Sequence, residues 1–397
     1  ALPTQDDSPH RSIEESKPNA MDNNTVGLRS HNAVIDRVFE HIDNRTTDLG
    51  HSQWHEPVEH YVSQKRYEQE MTLLRERPVV FCPSAAIPEA GSFVSRTAAG
   101  TPLLVVRDND LRVRAFINAC RHRGMKVASG EGCARTFSCP YHGWTYNLDG
   151  TLRGVPGAAA FPDLEQETSG LKELFALEKG GLVYVQQEGS PKLNTLDTAL
   201  EFFDSTQPLI HQSNTVDDAN WKLLTETLLE GYHIKSLHRE SFYPFGLDNI
   251  NVIESFGQNS RVVYPFKRIE NLRSVAVNER KIEGFATLVY HLFPNVSVSV
   301  LSKHTSVTII EPLSPTRTQM FSYYIKHRAT SGNEISHEAA MKDVDFVNQS
   351  GQEEDRAAAR DIQETVTTSA NSHLTFGLFE QAIVRFHENL HEELNGG

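Results

Sequence analysis

Cysteine is scarce in this chain: 397 residues hold four, Cys82, Cys120, Cys133 and Cys139. So few thiols exclude a disulfide-built scaffold and suit a reducing, cytoplasmic compartment. Cys82 and Cys133 are expected as buried small side chains rather than a bridge. Long apolar runs are missing too. None approaches the ~18 residues a membrane span needs, and no secretory leader is read at the start. Positive charge is in deficit, with 38 Lys and Arg against 52 Asp and Glu and a formal net charge of −14. That balance argues against nucleic acid or an anionic membrane as partner, while leaving room for a local basic patch where a redox protein docks. No internal repeat is visible.

What is present is length enough for two domains and 38% hydrophobic residues, enough to bury sizeable cores. Residues 1–30 are polar and Pro-punctuated and read as a disordered tail. Residues 31–76 carry helical patterns (Val34, Ile35, Val38, Phe39; then Tyr61, Tyr67, Met71, Leu74), expected to pack on the C-terminal domain. From Pro78 the character turns to short alternating runs split by Gly and Asp-Asn-Asp turns, which predicts a small antiparallel β domain over 77–186. A polar link near 189–192 leads into a second domain, 187–397. There, residues 220–240 look helical, Val296–Val300 alternates as a half-buried strand, and two strands are expected within 304–326. Long helices are expected from about 333. The fold class expected is α+β.

Two short clusters carry the chemistry. Cys120-x-His122 and Cys139-x2-His142 each pair one thiolate with one imidazole. Structural zinc sites more often bring two cysteines as one pair and two histidines as the other. The mixed pairing suits a two-iron, two-sulfide cluster with both thiolates on one iron and both imidazoles on the other, whose potential lies at roughly −150 to +300 mV. A structural zinc ribbon is the bland alternative. The flanks read Cys120-Arg121-His122-Arg123-Gly124 and Cys139-Pro140-Tyr141-His142-Gly143-Trp144. They resemble the two loops of the Rieske iron–sulfur domain.

Further on stands Glu230-Gly231-Tyr232-His233-Ile234-Lys235-Ser236-Leu237-His238. Histidines five apart lie about 140° apart round an ideal helix, so they can share a metal only if the helix ends or bulges between them. By itself this spacing is weak. Together with Asn220-Trp221-Lys222 and the upstream loops, it resembles the iron-binding segment of Rieske non-haem iron oxygenases, over about residues 77 to 390.

The resemblance implies an antiparallel β Rieske [2Fe–2S] domain and a catalytic domain with an antiparallel sheet surrounded by helices. It implies a mononuclear Fe(II) held by His233, His238 and a distant Asp. The segment Gln352-Glu353-Glu354-Asp355-Arg356, followed by Gln363, Glu380 and Phe386-His387, assigns that carboxylate to Asp355; two histidines and a carboxylate leave positions for O2. Glu353 and Glu354 read as acidic residues favouring a helix start. Glu230 corresponds to a carboxylate that links His233 to His142 of the next subunit, which implies a ring-shaped homotrimer. Electrons would come from NAD(P)H through a separate flavin/iron–sulfur reductase or ferredoxin.

The implied activity is oxygen insertion into a small organic substrate, leaning to aromatic ring hydroxylation. The alternative is oxidative N-demethylation or hydroxylation of a quaternary ammonium compound. From other classes come a Rieske electron carrier without catalytic iron and a zinc-stabilised binding module. The pattern departs from the family's at Thr227, where Asn is common, and at Leu228, where some quaternary-ammonium members have an aromatic. Phe242, Tyr243, Phe245, Tyr290, Phe293 and the strand at 296–300 are expected to line the substrate pocket.

Overall fold

The computed structural model describes residues 27–328, 334–368 and 370–396. Most of the segment read as a tail, 1–26, lies outside the described residues. Order begins inside the remainder: Leu28 is buried, the Arg29 N–H donates to Glu254 at 2.8 Å, and the Ser30 hydroxyl caps α1 (His31–Asn44). The apolar stripe of α1, Val34, Ile35, Val38 and Phe39, is buried, as its 3.6-residue period requires. Ser63 caps α2 (Gln64–Arg75) in the same way. Between them the expected helical run is broken by a strand, Trp54–Pro57, paired antiparallel with His373–Phe376. Four residues of mixed polarity carry no period-2 signal, so neither strand was visible beforehand.

Seven antiparallel strands form the first sheet, in the order 79–83, 182–186, 173–179, 113–117, 101–107, 92–98, 130–133. A three-stranded sheet, 137–138, 145–146 and 152–154, stands beside it. A second seven-stranded antiparallel sheet runs 209–217, 317–326, 304–314, 296–300, 286–292, 259–265, 252–256. Val296–Val300, expected half-buried, is buried over most of its length, Ser297 included, because as the central strand it is covered on both faces. Val296, Val298 and Val300 share one apolar cluster with Val80, Cys82, Leu103 and Val183 of the first sheet. The two sheets therefore have a common core, and the opposite face of the second sheet is left for Ser297, Ser299, Ser306 and Thr308.

The stretch 220–240 is not one helix. It forms two short pieces, α3 (Trp221–Glu226) and α4 (Ile234–Leu237). The helices expected after 333 are α5 (His337–Phe346), α6 (Glu353–Val366) and α7 (Gln381–Asn395), with a π-helical stretch Val347–Gln352 joining the first two.

Buried ion pairs tie the halves. Arg96, on the first sheet, lies against the rings of Phe81 and Phe321 and donates to Glu311 of the second at 3.2 Å. Glu311 also accepts the Ala99 N–H at 2.5 Å. Removing one partner strands a buried charge, which costs about 3–5 kcal/mol, so Arg96→Ala should lower the stability measured by urea denaturation by that order.

A second test concerns acid. His291 is 2% exposed and donates Nε2–H to the Pro294 carbonyl at 3.0 Å; burial pushes its pKa down to about 4 from the ordinary 6.5. The unfolded chain then holds the extra proton across that window, so stability falls as pH drops from 6.5 towards 4, by up to roughly 3 kcal/mol. Denaturation of His291→Gln at several pH values should show a flatter acid side; an unchanged slope would remove His291 as its source.

Candidate metal centres

The two cysteine–histidine loops are built alike. The Cys120 N–H donates to the Met125 carbonyl and the Gly124 N–H to the Cys120 carbonyl, both at 2.8 Å. Likewise the Cys139 N–H donates to Trp144 at 2.8 Å and the Gly143 N–H to Cys139 at 2.9 Å. Such a turn needs a left-handed residue at its fifth position. Gly124 (φ 80°) and Gly143 (φ 75°) supply it, at no Cβ penalty.

The loops bring Cys120 and Cys139, both 3% exposed, together with His122 and His142, whose ring centroids are 4.7 Å apart. His122 stacks on Trp144, and its Nδ1 is buried without a hydrogen-bond partner. Tyr146 Oη lies 3.2 Å from Cys120 Sγ and accepts the Arg121 N–H. Its hydroxyl is pushed well up by burial and by the neighbouring thiol, so it stays a donor to sulfur. Two buried thiols and two histidines, one with an unsatisfied ring nitrogen, fit a [2Fe–2S] cluster. The spare cysteines differ: Cys82 is buried as expected, whereas Cys133 is exposed.

His233 and His238 bracket the single turn of α4, as its N-cap and C-cap residues. That early stop is what lets imidazoles five residues apart converge. Each ring is held from behind by a carboxylate: Glu230 takes His233 Nδ1, and Glu354 takes His238 Nδ1 at 2.6 Å. Carboxylates only accept, so both Nδ1 atoms carry the proton and both Nε2 atoms present lone pairs. These lone pairs face each other at 3.2 Å. Asp355 Oδ1 lies 3.0 Å from one and 3.4 Å from the other, yet it is buried without a hydrogen bond. Three bare acceptors so close repel unless a cation sits among them. Their spacing is what ligands at ~2.0–2.2 Å from one ion produce, and the donor set suits ferrous iron. Burial opposes protonation of both histidines, but Glu230 at His233 and Asp355 and Glu354 at His238 outweigh it and raise both pKa values. Positive charge is favoured here.

Asp355 is placed by the first turn of α6. Arg356 (2.8 and 3.0 Å) and Arg360 (2.6 Å) bind Asp217 on the second sheet, and Gln363 accepts the Asn220 N–H at 2.7 Å. The Asn220-Trp221-Lys222 motif is an anchor. Asn220 caps α3, while Trp221 Nε1 and Lys222 Nζ both reach Glu70 at 2.7 Å. Glu354 is the residue that spacing missed. Its position suggests a helix-start carboxylate, but it orients His238 and also accepts from Ser241 at 2.6 Å. A carboxylate beside a ligand was the available signal, although only the fold shows which histidine it serves. Glu353 pairs instead with Arg356 and Arg360, both at 2.9 Å.

A cavity of about 610 Å3 opens over Glu230, His233, His238 and Asp355. Of the expected lining, Phe242, Phe245 and Ser299 are present. Phe242 sits over His238, ring centroids 5.0 Å apart, in space that Gly351 leaves, since a Cβ there would strike its ring. The remaining aromatics point elsewhere. Tyr243 is outside the lining, Tyr290 packs on Phe202 on the other face of the sheet, and Phe293 lies under Arg77. Leu228, Tyr264, Phe266 and Phe346 take their places.

Residues 77–170 match the model of the Rieske [2Fe-2S] domain, and residues 209–396 that of the ring hydroxylating alpha subunit (catalytic domain). The chain is 31% identical over 206 residues to the glycine betaine monooxygenase oxygenase subunit of Pseudomonas aeruginosa, 49% of this chain and 48% of that one. It is 32% identical over 179 residues to the biphenyl 2,3-dioxygenase subunit alpha of Rhodococcus jostii, 42% and 39% of the two. It thus spans about half the length of the first of these curated relatives. Among solved structures, the quaternary ammonium Rieske monooxygenase CntA superposes with a TM-score of 0.74 at 18% identity, covering 87% of this chain and 96% of that one. At that identity the likeness concerns the fold alone.

Outer ligand supports typically change metal affinity ~10–100-fold. Glu354→Gln should therefore lower the mononuclear iron retained after dialysis by that factor and leave the visible absorption of the cluster loops unchanged.

Proposed function

The chain belongs to the Rieske non-haem iron oxygenases, as an α subunit of the ring-hydroxylating type, and from that premise we propose that it is the terminal oxygenase that takes electrons from a reductase or ferredoxin and inserts oxygen from O2 into a small organic substrate. The observation that carries this reading is the uncompensated set of His233 Nε2, His238 Nε2 and Asp355 Oδ1 at the floor of an apolar cavity. When bound, a [2Fe–2S] cluster on Cys120, Cys139, His122 and His142 supplies single electrons, and Fe(II) on His233, His238 and Asp355 activates O2.

The chain's own residues hold and orient. Glu230 and Glu354 fix both imidazole tautomers, and the apolar walls exclude water from the reacting face. Glu230 also accepts the His233 N–H at 3.1 Å. It is 9% exposed and lines the cavity. His142 is exposed within its own chain. We infer that Glu230 accepts a hydrogen bond from His142 of the partner subunit, the short route for electrons between the centres.

The surfaces around the two differ, exposed Arg121, Arg123 and Lys126 giving the cluster side a basic character. Exposed Met125 and Tyr141 lie on the loops that carry the cluster residues, and exposed Tyr232 and Leu378 lie on the Glu230 side. Unlike patches meet head to tail and close a ring when the rotation between neighbours divides the circle, and a homotrimer is the proposed assembly. The absence of disulfides among the described residues suits a cytoplasmic setting.

For the substrate, a cavity walled by Phe242, Phe245, Tyr264, Phe266 and Phe346 favours an apolar ring, hence aromatic hydroxylation. A second reading is oxidation of a quaternary ammonium compound. Phe242, Phe245 and Phe346 form edge-to-face pairs (5.9 and 6.1 Å) whose faces could bind a cation, and the first relative acts on glycine betaine by its name.

Three measurements decide. Iron analysis should give three irons per chain, about two in the cluster and one alone; two would leave an electron carrier. Glu230→Gln, assayed with excess Fe(II) so that the weakened support of His233 does not empty the site, should hold both metals yet slow reoxidation of the reduced cluster by substrate and O2 at least ~100-fold, and normal turnover would remove the bridge. Oxygen uptake with a generic reductase should be stimulated by aromatic acids; stimulation by quaternary ammonium compounds alone would select the second reading.

A further inference from the structure

A second group of imidazoles lies away from the cavity, among residues that line no part of it. Glu56 is the third residue of the strand Trp54–Pro57, and His60 follows four residues later in the short turn Val58–Tyr61. His387 and His391, also four apart, lie on one face of α7. Glu56 is fully buried. His60 Nδ1 lies 2.6 Å from its Oε1, His391 Nε2 3.2 Å from its Oε2, and His387 Nδ1 3.6 Å from the same oxygen. The donor atoms of Glu56, His60 and His391 lie within 4.8 Å of one another.

His387 supplies the second, independent observation. Its Nε2 is 2.8 Å from Glu226 Oε1, which also accepts the Tyr61 hydroxyl at 2.8 Å. A carboxylate accepts, so Nε2 carries the ring proton. The neutral ring then turns the lone pair of Nδ1 towards Glu56, and that nitrogen is buried with no hydrogen-bond partner in a side chain that is 0% exposed. Glu56 Oε2 already accepts the Trp54 indole N–H at 2.9 Å, so it is the His387 lone pair that is left without a partner out of water. A carboxylate that holds one imidazole nitrogen so that the other faces inward is the arrangement which orients histidine ligands at metal sites.

We propose that Glu56, His60 and His391 form a further metal site, for a divalent cation of the zinc type, with the His387 ring buried beside it. Two imidazoles and one carboxylate suit zinc over calcium or magnesium. The three donors come from segments over three hundred residues apart, so the role is structural, with water in the fourth position. The ion clips the segment before α2 to the C-terminal helix, beside the two-stranded pair that already joins 54–57 to 373–376. His60 and His391, with side chains 24% and 27% exposed, provide the way in.

The test uses the full chain loaded with cluster and iron. After gentle chelation, Zn2+ titrated by calorimetry should bind at about one equivalent per chain and raise the melting temperature. Co2+ should add the visible bands of a four-coordinate nitrogen and oxygen site. His391→Ala and His60→Ala should each abolish both signals while keeping the cluster spectrum and the lone iron. Asp355→Ala should lose the iron and keep the Zn2+ response. No Zn2+ uptake by the wild-type chain, or uptake that vanishes with Asp355 and persists without His391, would overturn the site.

Discussion

Two imidazoles five residues apart reach one point only if the helix that carries them stops after a single turn. The catalytic half is arranged around that constraint. His233 and His238 cap the two ends of α4, and the backbone between α3 and α4 is irregular. A segment so short has little stability of its own, so its neighbours hold it. Glu230 and Glu354 fix the ring orientations, Phe242 packs on His238, and α6 delivers Asp355 from more than a hundred residues away. The π-helical stretch before α6 and the bare Gly351 make room for Phe242. Wide turns of this kind recur where a helix must re-aim its side chains.

Placement of α3 and α6 rests in turn on buried charge. Lys222 is fully buried; desolvation lowers its pKa, and Glu70 offsets part of that effect. Arg66 reaches the same carboxylate at 3.1 Å, so α2 and α3 are locked through one shared buried carboxylate, and Asp217 with Arg356 and Arg360 does the same for α6. Such pairs add little net stability over apolar packing but penalise any other register heavily. For a site that must hold three donor atoms near 3 Å apart, register matters more than bulk stability. The second sheet divides its labour accordingly, with valines into the core shared with the first sheet and small hydroxyl residues towards the helices and the cavity.

Legibility followed the range of the interaction. The cluster loops could be read because everything that shapes them is local: ligands, turn glycines and the stacking Trp144 all fall within a few residues of one another. The strand periods of both domains and the apolar stripe of α1 were visible for the same reason. The two-stranded pair 54–57 with 373–376 was not, since its partners are over three hundred residues apart and neither has a period of its own. The 220–240 stretch reads as helix because its composition favours one, yet it folds as two short pieces, interrupted between Glu226 and His233. Tyr290 and Phe293 read as pocket aromatics, but an aromatic on a strand sits on one of two faces, and sequence near a strand end does not say which.

Determined by sequence alone were the donor types and the two Cys-x-His-type turns, because thiolate, imidazole and glycine at those spacings admit few geometries. Tertiary structure alone decided which carboxylate serves which histidine, since Glu353, Glu354 and Asp355 are adjacent and differ only in the direction α6 points each. It also decided that Glu56, His60, His387 and His391 meet at all. Their convergence depends on the chain's two ends folding onto the same flank, and no local pattern encodes that.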